Sequence, residues 1–434
     1  MKRSITAVLG AAVAMSLALA GCGGGDDSDS QSGANTLTLA GWSLATTPEF
    51  KTLADGFHAA NPDITVEVKE YDATNYDTQM IADLAAGKAP DIYVQKNLKN
   101  FYTYENGHQL LDVSDVATTL GGDKLGGLAN YQVDGKTYAV PYRNDGWVLY
   151  YNKALFDKAK VAYPDGSWTW DDYAAASKKL TTELKKAGST ALGDYQHTWQ
   201  STIQGFAAAQ TPGANWESGD FSYLKPYYVR ALDLQKSGAQ VSFGTATTNK
   251  LTYQAQFGKQ SAAMMLMGTW YIATLRSQQE KGDADKFEWG IAPAPQFDKS
   301  TTGTSKTPVT FGDPTGLGIN AGIAKSKVDV AKKFLAYAAG AQGAKSLAGI
   351  GITPADTAAV TADFFTLSGV PTDDLSKFAF GTHLIKPENP VSKHTAGLLN
   401  VLNDMHTAVL SGSKDLDTAL AEAQTRAKNE VLSK

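Results

Sequence analysis

Across 434 residues the chain contains a single cysteine, Cys22, so no internal disulfide can form. It has six histidines, scattered and with no cysteine beside them, which argues against a metal site built on ligand-spaced His and Cys. No G-x-S-x-G elbow, H-E-x-x-H helix or phosphate-binding P-loop is present. Clustered lysine and arginine are also missing, and the formal charge is -5, so nucleic acid is not an expected partner. After the first twenty residues no apolar run is long enough to span a bilayer; Ala262 to Leu275 is broken by Gly268, Thr269 and Thr274.

What is present begins at the amino terminus. Lys2 and Arg3 precede an apolar stretch from Ala7 to Ala20, too short to span a membrane comfortably, which is the plan of a secretory signal. It ends in Leu19-Ala20-Gly21-Cys22, a pattern that resembles the lipobox of bacterial lipoproteins. The resemblance implies cleavage before Cys22 and acylation of its thiol and new amino terminus, and several acyl chains anchor far more durably than one. Removing residues 1–21 takes away two cations and no acid, which moves the formal charge from -5 to -7. Residues 22–35 then form a tether: GGGDDSDSQSGAN has no large apolar side chain to bury, and a flexible coil of that length spans roughly 20 Å.

The remaining length exceeds what one core usually supports, so two lobes are expected. Order begins with a strand at Leu37 to Trp42, followed by a helix at Pro48 to Ala60 with Phe50, Leu53, Ala54 and Phe57 on one face. Ile64, Val66 and Val68 alternate as a second strand, Tyr76 to Ala86 reads as a helix, and Asp91 to Val94 as a third strand. This β-α-β-α-β order implies a parallel sheet covered on both faces. Such sheets bind ligands beyond the carboxyl ends of their strands, where Trp42 and Gln95 fall. Lys136 to Tyr142 and Trp147 to Tyr151 read as further strands, and Thr169 as the N-cap of a helix opened by Asp171 and Asp172.

A family resemblance rests on motifs in order along the chain: Ala89-Pro90-Asp91-Ile92, Tyr142 to Phe156 with Tyr151-Asn152-Lys153, Trp168 to Asp172, Ala263 to Trp270, Trp289 to Pro295, and Gly316 to Asn320. Together these resemble the extracellular solute-binding proteins of carbohydrate ABC transporters, the maltose-binding type. The resemblance implies an α/β, two-lobed periplasmic-binding-protein fold of type II, with sugar held in the interlobe cleft. By that analogy the crossings fall near Tyr142 to Gly146, Phe311 to Gly316 and Gly351 to Thr357. The N-terminal lobe is then 36–143 and 316–355, and the C-terminal lobe 144–315 and 356–434.

A sugar offers apolar faces and a ring of hydroxyls, so its site needs flat aromatic rings and planar polar groups that both donate and accept. Eight tryptophans and 19 tyrosines supply the rings. Trp42 and Trp270 are the stacking candidates of the two lobes, and Trp168 and Trp170 are assigned to core packing. Arg143, Asn144 and Asp145 at the first crossing can grip vicinal hydroxyls, or form an interlobe ion pair instead. Gln95, Asn97, Trp199 and Asp313 complete the candidate set. The reading is a monomeric, lipid-anchored binding protein on the outer face of a Gram-positive cell membrane, handing an oligosaccharide to permease subunits, with no catalytic residue, cofactor or metal. The alternatives are a secreted glycoside hydrolase or lyase, and a peptide-binding transport lipoprotein.

Overall fold

The computed structural model describes residues 33, 35–356 and 364–434. The signal segment, Cys22 and almost all of the tether lie outside the described residues, as does Thr357 at the end of the third crossing. Among the described residues no helix is long and apolar enough to cross a membrane.

Strand β1 (Thr36–Trp42) pairs in parallel with β2 (Thr65–Tyr71) along its whole length, and with β3 (Ile92–Gln95) at Leu39. The helix Glu49–Ala60 lays Phe50, Leu53, Ala54 and Phe57 against this sheet, and Asn61 ends it, its N–H bonding the carbonyls of Phe57 and His58. A short hairpin, β4 (Gln132–Val133) and β5 (Lys136–Thr137), precedes β6 (Val140–Asn144). The expected single strand over 136–142 is therefore two, because Lys136 and Thr137 pair within the hairpin before the chain turns to meet its sheet partner.

The second sheet is built from β7 (Trp147–Asn152), β8 (Leu192–Tyr195), β9 (Ala262–Gly268) and β10 (Trp289–Pro293), in the order β10-β7-β9-β8. Strand β7 is central and buried along its entire length, which explains an uninterrupted aromatic and aliphatic run with no polar alternation. Its last residue, Asn152, caps the next helix by accepting the Leu155 N–H at 3.0 Å. Thr169 and Asp172 form a reciprocal capping box on the helix Trp170–Lys186.

From the second sheet the chain continues through β11 (Val309–Phe311) into β12 (Pro314–Ile319), which inserts into the first sheet to give the order β2-β1-β3-β12-β6. Strand β12 runs antiparallel to β3 and β6, so this sheet is mixed and not all-parallel. The reason is connectivity: β12 arrives from the other lobe and enters at the carboxyl edge of β3, opposite to a strand fed by a crossover helix. A last strand, β13 (Leu384–Lys386), pairs in parallel with β11.

Two hydrophobic cores result. One joins Leu39, Phe50, Tyr93, Tyr142, Leu317 and Phe334, and the other joins Trp147, Tyr150, Phe206, Met265, Phe311 and Leu402. Between them three chain segments lie side by side. Asn144 N–H bonds the Thr353 carbonyl at 3.2 Å and Ala355 N–H the Tyr142 carbonyl at 3.1 Å. A side chain at Gly312 would place Cβ 2.0 Å from the Asp145 carbonyl oxygen, so the crossings touch backbone to backbone and only glycine fits there.

Candidate ligand-binding site at the lobe junction

The polar centre of the junction is a chain of buried groups. Arg143 Nη1 donates to Glu49 Oε2 at 2.5 Å, and Tyr142 donates its hydroxyl proton to Glu49 Oε1 at 2.8 Å. On its other side Arg143 Nε lies 2.9 Å from Asp145 Oδ2 but off the N–H direction, so that contact is ionic and not a directed hydrogen bond. Asp145 Oδ1 accepts from the Thr269 hydroxyl at 2.7 Å, and Thr353 donates to Thr269 at 3.0 Å. Burial alone lowers the affinity of Arg143 for its proton, but the charges of Glu49 and Asp145 outweigh it and hold the guanidinium above its usual range. Burial pushes the Asp145 carboxyl up, and Arg143 draws it back down. Of the two roles open to Arg143 and Asp145, the geometry supplies the interlobe ion pair, one cation between two carboxylates.

Beside this network the second lobe presents aromatic surface. Trp270 follows β9 through Thr269 and is half-buried, with its ring edge-on to Trp147 at 5.5 Å. Gly268 makes room for it, since a Cβ there would lie 1.8 Å from the indole. Burial pushes the Tyr253 hydroxyl up, and the neighbouring Trp270 side chain draws it back down. Tyr253 in turn meets Trp199 at 5.7 Å and His197 at 5.4 Å, and His197 meets Trp199 at 4.5 Å. Trp199 is 43 % exposed, the most open tryptophan among the described residues. The structure thus brings Trp199 and Trp270 together through Tyr253, which sequence reasoning missed.

This surface is held from behind. The Thr202 hydroxyl donates to the Trp199 carbonyl at 2.7 Å, and His406 Nε2 reaches the Thr198 carbonyl at 3.1 Å. Because that carbonyl can only accept, Nε2 carries the proton, and His406 Nδ1 accepts from the Tyr228 hydroxyl at 2.9 Å. Burial pushes both His197 and His406 down to about 4, so both are neutral at neutral pH.

The first lobe contributes differently from expectation. Trp42 is 7 % exposed, with Phe50 at 4.8 Å and Tyr76 at 5.1 Å against its ring, and Lys96 Nζ stands 5.0 Å over it. It is a packing residue here, because the helix after β1 folds back over the strand end. Gln95 is 1 % exposed, and neither of its amide atoms has a hydrogen-bond partner among the described residues. Asn97 turns its own loop, accepting the Lys99 N–H at 3.1 Å. Asn144 is partly buried, and its amide lies against Gly126. Asp313 spends both oxygens on N–H groups: Leu98 at 3.0 Å, Glu388 at 2.7 Å, and Asn389 at 3.2 Å through its backbone and 2.6 Å through its side chain. A carboxylate with four donors has no lone pair directed at a solute. Glu49 was also missed; it stands four residues before Leu53 and eight before Phe57 on the apolar face of its helix, and that spacing is the signal that could have found it.

A family model described as bacterial extracellular solute-binding protein matches residues 41–345. A sugar transporter from Rhizobium etli, solved in an open conformation, superposes with a TM-score of 0.74 at 30 % identity, covering 91 % of this chain and 99 % of that one. A binding protein of Brucella abortus is 24 % identical over 285 residues, 63 % of this chain and 66 % of its own length. The maltodextrin-binding protein of Bacillus subtilis is 25 % identical over 283 residues, 64 % of this chain and 63 % of its own. The matches to these two relatives thus span just under two thirds of their length.

Proposed function

This chain belongs to the bacterial extracellular solute-binding protein family, and on that premise we propose that it is the substrate-binding component of an ABC importer, capturing an oligosaccharide between its lobes and passing it to membrane permease subunits. The observation that carries the reading is the aromatic surface of Trp270, Tyr253 and Trp199, set beside a junction of two separately cored lobes. Aromatic faces match the apolar faces of sugar rings, and the indole and phenol edges supply hydrogen bonds to hydroxyls. Contacts from both lobes to one solute favour the closed arrangement by their differential affinity, and no bond is made or broken. In this reading the N-terminal lobe comprises 36–143 and 316–355, the C-terminal lobe 144–315 and 356–434, and a monomer held by acylation at Cys22 works at the outer face of a membrane.

The test is calorimetric titration with neutral di- to tetrasaccharides, each recovered and checked for product. Saturable binding of unchanged sugar is expected, with a dissociation constant near micromolar, which corresponds to about -8 kcal/mol. Turnover would move the chain to the enzymes, and no heat across the panel would overturn the sugar assignment in favour of peptides or another solute. For the anchor, labelled fatty acid should be incorporated by the native chain and not by Cys22→Ser. Equal labelling of the two would remove Cys22 from that role.

A further inference from the structure

The segment from Leu384 to Val391 lies between two stretches of the second lobe but is fastened to the first. Its start is β13, paired with β11. Beyond its end, His394 Nδ1 contacts Glu217 at 3.0 Å and the helix Thr395–Leu410 packs into the second core. Between these points the segment leaves its own lobe. Ile385 lies against Gly146 and Gly312, both at interlobe crossings, and the Lys386 carbonyl accepts the Gly312 N–H at 3.0 Å. Glu388 and Asn389 then donate three hydrogen bonds to Asp313, whose remaining bond comes from Leu98 in the first lobe. Val391 packs on the first core.

We propose that residues 384–391 form a strap across the hinge, fastened by Asp313, that limits how far the two lobes swing apart. Opening by rotation about the crossings must either pull Leu98 from Asp313 or lift Val391 from the first core, since β13 and the helix that follows the segment are fixed in the second lobe. The four donors share one buried carboxylate, so the fastening is charge-assisted and directional. Burial raises the Asp313 carboxyl while its four N–H donors draw it back down. Burial and the Asp313 charge push the Glu388 carboxyl up. Asp313 is thus a positioning residue for closure and not a ligand contact.

The experiment reads interlobe distance without any sugar, so it stands apart from the test of the solute. Spin labels go on Glu67→Cys and Lys236→Cys, both exposed and one on each lobe, in a Cys22→Ser background so that no other thiol reacts. Asp313→Ala is expected to lengthen and broaden the distance distribution of the unliganded protein, with Asn389→Ala shifting it in the same direction by less. If Asp313→Ala does not fold, Asn389→Ala and Val391→Ser provide the same reading. Distributions that superimpose on the parent in every folded variant would overturn the strap.

Discussion

Replacing Arg143 by alanine is expected to destabilise the protein by about 3–5 kcal/mol, the range for breaking a buried ion pair from one side. Both Glu49 and Asp145 would be left buried without their cation, Glu49 at 0 % and Asp145 at 3 % exposure, and neither can reach water without moving the junction. The loss should exceed that of substituting any surface pair, such as Lys51 with Asp55, whose side chains are mostly exposed and screened by solvent. Urea denaturation followed by tryptophan fluorescence measures it. A change below about 1 kcal/mol would mean that the network contributes no more than a surface pair.

Trp270→Ala is expected to weaken sugar binding by about 2 kcal/mol or more, roughly 30-fold, the loss typical of an aromatic anchor at a binding surface. Trp42→Ala should behave in the opposite way. Its ring is enclosed by Phe50, Tyr76 and Lys96, so its removal leaves a cavity and is expected to lower stability by about 3–5 kcal/mol. The pair separates stacking from packing within one experiment, with calorimetry for affinity and thermal melting for stability. Trp270→Ala binding with native affinity would remove that ring from the site.

Much of this was legible before any coordinates. Periodicity alone places the helix carrying Phe50, Leu53 and Phe57, the strand following Asn61, and the capped helix at Thr169, because these features depend on residues within a few positions of each other. The position of Trp270 at the end of a buried strand was also readable, since Gly268 and the apolar run before it are contiguous. The assignments that shifted share a different character. Asp313 reads in sequence as a candidate for the ligand site, but its donors come from residues 98, 388 and 389, at separations of 75 positions or more. Tyr253 lies 17 residues before Trp270 with nothing local to connect them, and β12 reverses direction in its sheet because of where the chain has been.

By itself the sequence determined the local elements, the caps, the chemical kinds available for a site and the pattern that ends at Cys22. All of these follow from backbone preference and short-range spacing. Only the tertiary structure decided which tryptophan is covered and which is open, and which carboxylate meets a cation. It also decided which segment crosses the hinge. The reason is that burial and charge pairing belong to the assembled surface: a ring is exposed, or an acid neutralised, by residues that the chain brings near only after both lobes have closed around their cores.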